Sequence, residues 1–295
     1  MKVIISSLPN NSWWGKGTPQ YEDNPAMVQG TLPNQLLLDS EWNALRQMLK
    51  EKYDDLDIIP FPSKLDDLNS ASWKHDFIFV RDLFVSNQNG DVVVARFREK
   101  ERQAEEEIIE EWLMQQDVKV HKLPFDKNYF VEGGEFYFCP QENILFAGTG
   151  RNNTIGNTKT AELLNVDELV ELSTEAFHLD TVFTPVLNKQ NELCLVIVCT
   201  QLLEYESLQR LQTFTKTKGI QLLDIPLEET IGLGTQLGSF AANCLPLPGI
   251  LLGSSAFVSE SVNLALAEHN ITHSIVPLTQ FRLSGGSVHC LTNEL

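Results

Sequence analysis

A single order of elements recurs along this chain roughly every 50 residues: two strand-like runs joined by a turn, a helix, then a third strand-like run. The first copy opens at Asp76 with DFIFVRDLFVSNQNGDVVVARF, where two apolar runs flank the turn signal SNQNGD. EKERQAEEEIIEEWLMQQ follows, charged but with an apolar stripe at Ala104, Ile108, Ile109 and Trp112, which predicts an amphipathic helix. VKVHKLP completes the unit as a strand. The order returns in YFVEGGEFYFCPQENILFAG, GNTKTAELLN and ELVELS, and again in HLDTVFTPVLNKQNELCLVIVC, YESLQRLQTFTKTKG and IQLLDIP. The fourth copy is SFAANCLPLPGILLGS, SESVNLALAEHN and ITHSIVPL, its helix opened by serine caps.

What remains is complementary. The C-terminal GSVHCLTN offers one strand, and the N-terminal part offers KVIISSLP, the helix DSEWNALRQMLKEKY and LDIIPFP. Together they make a fifth unit. Modules of this period stand around an axis, so the last strand should pair with the first. The expected fold is therefore α/β, five ββαβ modules in a ring closed by the N- and C-terminal segments, in one catalytic domain over residues 1–295.

Polar outliers sit at matching places, near the first strand of each module: Asp82, Glu132, Asp180, Asn243 and Cys290. In a ring, equivalent positions converge on the axis, so three carboxylates, an amide and a thiol should share one pocket. Carboxylates buried together are costly unless something positive joins them. The composition agrees: 40 acidic against 22 basic residues give a formal net charge of −18. That field repels nucleic acid and attracts a cationic small molecule. No apolar run reaches the roughly 18 residues of a membrane span. The start reads as a strand entering a loop rather than a secretion signal, and five scattered cysteines predict reduced thiols in the cytoplasm.

A guanidinium meets the pocket's demands. It is planar, permanently charged, and carries five N–H donors suited to carboxylates. Its carbon yields only to a strong nucleophile, and a thiolate is the best available at neutral pH. His178 and Asp180 are two apart, which on a strand places them on one side. His178 could protonate a departing amine and then activate water. Gly133 and Gly134 after Glu132 predict a bulge or a close approach by a ligand. Arg81 and Asp82 are adjacent, so one of them should point inward. Cys139, Cys194, Cys199 and Cys244 lie in apolar settings and read as core residues. No spacing suits a metal, and no cofactor is expected. His75, His121, His269 and His273 sit in polar or strand-edge settings, and His289 should point away from the pocket if its strand is regular.

FVRD, VEGGE, HLDTVFT and GGSVHC, in that order, resemble the motifs of the arginine deiminase and amidinotransferase superfamily, which includes dimethylarginine dimethylaminohydrolase and agmatine deiminase. The resemblance covers nearly the whole chain. It implies a five-bladed α/β propeller and a covalent amidino-thioether on the cysteine. It also implies roles: Cys290 as nucleophile, His178 as general acid and base, Asp82 and Asp180 as guanidinium ligands, Glu132 as support for substrate and histidine, and Arg151 and Arg102 as partners of a substrate carboxylate. With Asn243, these are the expected site residues.

Three departures stand out. GTGRNN replaces the usual Ser-x-Arg-Thr, Glu135 stands where Asp is common, and the chain lacks room for the helical insertion of an ordinary arginine deiminase. The first functional reading is a hydrolase of arginine or a modified arginine. An amidinotransferase and a non-catalytic cationic amino-acid binder are the alternatives. Its partners should be a small guanidino molecule, with a homodimer allowed and neither nucleic acid nor membrane. The long loop around Trp13 and Trp14 is read as a lid over the pocket mouth.

Overall fold

Parallel strands cannot be joined by a tight turn, so a chain that follows each hairpin with a helix brings its third strand back parallel to the second. The computed structural model, which describes residues 2–10, 21–53, 55–65, 75–125 and 127–295, shows this in every unit. Phe84–Ser86 and Asp91–Val94 pair antiparallel, the helix Glu105–Leu113 crosses over, and Lys119–His121 pairs parallel to Asp91–Val94. The second module uses Phe136–Cys139, Ile144–Gly148, the helix Thr154–Leu163 and Glu168–Leu172. The third uses Phe183–Leu187, Leu193–Val198, Tyr205–Lys218 and Gln221–Asp224. The fourth uses Leu245–Leu247, Ile250–Gly253, Glu260–Glu268 and Thr272–Ile275.

The fifth module is assembled from both ends. Val3–Ser6 is its middle strand, parallel to Leu56–Ile59 beyond the helix Gln35–Lys52 and antiparallel to Asn293–Glu294. Lys2 and Leu295 exchange backbone hydrogen bonds at 2.7 and 2.9 Å. The middle strands carry the core, and Val3–Ser6 and Ile144–Gly148 are buried at every position. No helix among the described residues is long and apolar enough to cross a membrane.

The structure corrects several local expectations. The first helix starts at Glu105, not near Glu99, because Ala104 turns left-handed at φ +80° and leaves Arg102 in the turn before it. Ser259 precedes the helix Glu260–Glu268, but its hydroxyl donates to Glu229 rather than capping. The C-terminal segment is not one strand: Val288–Leu291 is a helical turn, and only Asn293–Glu294 is extended. A small hairpin, Gly232–Leu233 with Gln236–Leu237, fills the one long interval between modules. Trp13 and Trp14 lie outside the described residues.

Asn293 ties the closing strand to the first module. Its amide donates toward the carbonyls of Phe84 and Val80 at 2.9 and 3.0 Å, and its oxygen accepts from Arg81 at 3.2 Å. Asn293→Ala leaves those buried groups unpaired and is expected to cost about 2–3 kcal/mol of stability. Urea denaturation checks this, and a midpoint equal to wild type would show that the tie contributes nothing.

Candidate active site

Each polar outlier sits in the turn that enters its module, just ahead of the first strand. Asp82 is in the 3-10 turn Val80–Leu83, Glu132 precedes the turn Gly133–Glu135, and Asp180 is in Leu179–Thr181. Asn243 precedes Leu245–Leu247, and Cys290 is in Val288–Leu291. The strand-alternation argument for His178 and Asp180 therefore does not apply: His178 is extended and Asp180 has already entered the turn. Arg81 turns the other way from Asp82 and pairs with Glu294 at 2.7 Å.

The paired glycines let these turns meet. A Cβ on Gly133 would lie 1.8 Å from the Arg81 carbonyl oxygen, and one on Gly134 2.5 Å from His178 Nδ1 and 2.6 Å from Asp82 Oδ1. The close approach expected of a ligand is made by the chain itself. Glu135, beside them, is fully buried and accepts from the backbone N–H of Arg151 at 2.5 Å and of Leu179 at 2.8 Å. It pins the loops that carry Arg151 and His178. Nothing in its sequence setting separated it from an ordinary charged residue except its place in the EGGE motif.

One cavity brings together Cys290, His178, Glu132, Asp82, Arg102 and Arg151. His178 Nε2 is 3.0 Å from Glu132 Oε2, and Nδ1 is 3.7 Å from Asp82 Oδ1. Burial opposes charge on this imidazole, but Asp82, Glu132 and Glu135 outweigh it and raise its pKa to about 9. His178 is thus an imidazolium at neutral pH. Burial first, then Asp180 and Asp82, push the Cys290 thiol well above its ordinary range. Asp82 Oδ1 and Glu132 Oε1 are buried with no hydrogen-bond partner among the described residues.

Asp180 and Asn243 stand behind the thiol, off the cavity wall. The thiol faces Asp180 Oδ2 at 3.4 Å. The Asn243 amide donates to Sγ at 3.2 Å and to the Asp180 carbonyl at 2.9 Å. Its oxygen accepts from the His289 N–H at 3.1 Å, which fixes the turn carrying Cys290. Asn243 was expected to touch substrate, but here it holds the cysteine.

Both arginines already have carboxylate partners. Arg102 is buried rather than solvated, and its guanidinium holds Asp82 at 2.5 Å and Glu105 at 2.8 Å. Glu105, three residues on, is a partner the sequence pattern hid inside a charged helix start. Burial raises Glu105 to about 7 against the pull of Arg102. Arg151 lies against the rings of Phe177 and Tyr21, with Glu99 at 2.7 Å and Asp23 at 2.6 Å. Those two carboxylates are partly exposed, at 34% and 57%, so they can be displaced by an entering anion.

A family model described as N,N dimethylarginine dimethylhydrolase, eukaryotic, matches residues 39–295. The chain is 28% identical over 256 residues to the bifunctional arginine dihydrolase/ornithine cyclodeaminase AgrE of Nostoc sp. (strain PCC 7120 / SAG 25.82 / UTEX 2576), a match covering 85% of this chain and 32% of that protein. It therefore spans about a third of the length of the curated relatives it matches. In structure it resembles apo ArgZ, an arginine dihydrolase from cyanobacteria, with a TM-score of 0.77 and 23% identity over 99% of this chain and 40% of that one. It also resembles a variant of DDAH from Pseudomonas aeruginosa complexed with citrulline, with a TM-score of 0.73 and 17% identity over 100% and 98% of the two chains. These structural likenesses establish the α/β fold.

The His178 pKa lies above its ordinary 6.5, so the stability it contributes is complete below pH 6.5 and is lost as the pH rises through about 9. Glu132→Gln keeps the shape and removes the charge. It is expected to bring the imidazole down by roughly 1–2 units and to shrink that loss. An NMR titration of the histidine ring protons measures both. An unmoved titration would leave Asp82 as the group that holds the proton.

Proposed function

The chain belongs to the eukaryotic N,N dimethylarginine dimethylhydrolase family, and from that premise we propose that it is a hydrolase of arginine or a modified arginine, working through Cys290. The observation that carries this reading is a pair of buried carboxylates, Asp82 and Glu132, that line the cavity containing the thiol and each keep one oxygen without a hydrogen bond among the described residues. Buried acceptors of this kind call for N–H donors, and a guanidinium supplies several in one plane. The arginine dihydrolase activity of the relatives supports arginine as the parent substrate. In this reading residues 1–295 are one catalytic domain, the five modules stand as blades around the pocket, and the protein works in the cytoplasm on a free small molecule.

The chemistry runs in two halves. Asp82 and Glu132 hold the guanidinium, and its positive charge favours the thiolate of Cys290 over the thiol. The thiolate adds to the guanidinium carbon. The C–N bond to ammonia or an amine then breaks as protonated His178, held by Glu132, gives its proton to the leaving nitrogen. A positively charged amidino-thioether remains on Cys290. His178, now neutral, takes a proton from water, whose oxygen adds to the same carbon. The C–S bond breaks, returning the thiolate, the hydroxyl proton passes to the departed ammonia or amine through solvent, and a ureido product of the citrulline type is released. Arg151 takes the substrate carboxylate from Glu99 and Asp23. Arg102 holds Asp82 in place.

Cys290→Ser is expected to abolish turnover, and a quenched wild-type reaction should show an adduct on the Cys290 peptide by mass spectrometry. A panel of guanidino compounds in labelled water should place the isotope in the ureido oxygen. Products formed only with an amine acceptor would make the protein an amidinotransferase, and binding without turnover would make it a carrier.

Arg151→Ala should cut kcat/KM for arginine at least tenfold more than for agmatine, its decarboxylated analogue, because only arginine offers a carboxylate to pair. Equal losses on both would leave Arg151 a purely structural residue.

A further inference from the structure

A second polar cavity shares no lining residue with the first. Arg81, Ser86, Gly133, His289, Asn293 and Glu294 form part of its wall. His289 is 1% exposed, and its ring stacks on Tyr137 at 4.0 Å. Its Nδ1 is 2.8 Å from Asp180 Oδ2, the same oxygen that the Cys290 thiol faces at 3.4 Å. One carboxylate oxygen is thus shared between an imidazole and the thiol. On the other side of the ring, His289 Nε2 has no partner among the described residues, and neither has Arg81 Nη2.

The proton positions follow from these neighbours. Burial, then the positive charges of Arg81 and His178, keep His289 neutral, with its pKa well below the ordinary range. A neutral imidazole beside a carboxylate carries its one proton on the nitrogen facing it, so Nδ1–H donates to Asp180 and Nε2 is an acceptor.

We propose that His289 is a positioning residue for Cys290: its Nδ1–H, in the tautomer set by the facing carboxylate, holds Asp180 Oδ2 against the thiol. The functional side of this proposal rests on the guanidine hydrolase reading, but the tautomer does not. The charged and titratable groups around Asp180 are His178 and Arg81, which favour its ionised form, Asp82, which opposes it, and the Cys290 thiol and Tyr137 hydroxyl, both neutral. Burial raises Asp180 to about 7, so at neutral pH a single N–H donor shifts the balance between carboxylate and acid. Losing that donor favours the acid, which no longer sets a negative charge against the Cys290 thiol.

The test uses His289→Phe, which keeps an aromatic ring on Tyr137 without the N–H, and His289→Asn, whose amide N–H can stand near the place of Nδ1–H. In His289→Phe the acid limb of the pH profile of kcat/KM should move up by about one unit, with KM affected more than kcat at neutral pH. His289→Asn should return the limb close to wild type. An equal loss at every pH in His289→Phe, or a His289→Asn enzyme that behaves like His289→Phe, overturns the proposal. A second measurement needs no substrate and no variant that folds poorly. Nitrogen NMR of histidine-labelled wild-type protein should show one buried imidazole, neutral and protonated on Nδ1, that does not titrate between pH 6 and 9. A spectrum in which every neutral histidine carries its proton on Nε2 refutes it. Failure of the hydrolase reading would instead appear as absent turnover with this Nδ1–H signal intact.

Discussion

Several carboxylates buried around one thiol are the constraint to which the rest of the molecule answers. Glu105, Glu132, Glu135, Asp82 and Asp180 are all almost fully buried, and an isolated carboxylate in such a place would take up a proton rather than stay charged. Each is compensated differently. Asp82 and Glu105 share Arg102, Glu132 has the His178 imidazolium, Glu135 accepts two backbone N–H groups, and Asp180 lies between a thiol and an imidazole. The result is a site whose positive charges belong mostly to residues that hold other residues, while Asp82 and Glu132 line the cavity and each keep one oxygen without a hydrogen bond among the described residues.

This compensation depends on bringing five module entrances together. Packing of the Gly133–Glu135 turn against the Arg81 backbone, the Asp82 carboxylate and the His178 ring allows no side chain at the paired glycines. Asn243 then bridges the Asp180 turn and the Cys290 turn with both ends of one amide. The modules act as a scaffold, and the turns, not the strands, supply the chemistry. That placement suits function, because a turn can aim a side chain along the sheet's end while the strand behind it stays in the core.

Much of this was legible in the amino-acid order. The hairpin–helix–strand pattern marked all five modules, including the one split between the chain ends, because periodicity and turn residues are local signals. The matching offsets of Asp82, Glu132, Asp180, Asn243 and Cys290 marked the entrances. Their directions were not legible. Strand alternation was the wrong geometry for residues in 3-10 and helical turns, where neighbouring turns decide which way a side chain faces. So Asn243 and Asp180 were expected beside a ligand and stand behind the sulfur. Arg102 looked like either a solvated helix start or a carboxylate ligand, whereas its partners Asp82 and Glu105 bury it. Its burial depends on Ala104 adopting a left-handed conformation, which no local preference of alanine announces.

The pairing of Val3–Ser6 with Asn293–Glu294 also has a consequence for the order in which the protein is made. Four modules can form from neighbouring stretches of chain, each closing a short loop. The fifth needs contacts across nearly 290 residues, and such loop closure is entropically costly and slow. Cys290 lies in the turn immediately before that final strand. A ribosome therefore exposes the acidic turns of Asp82, Glu132 and Asp180 long before the sulfur that completes them. While the chain is nascent, those carboxylates are solvated and the thiol is not yet among them. The pocket is complete only with the last closure, so a chain stalled or cut before that point has no thiol in it.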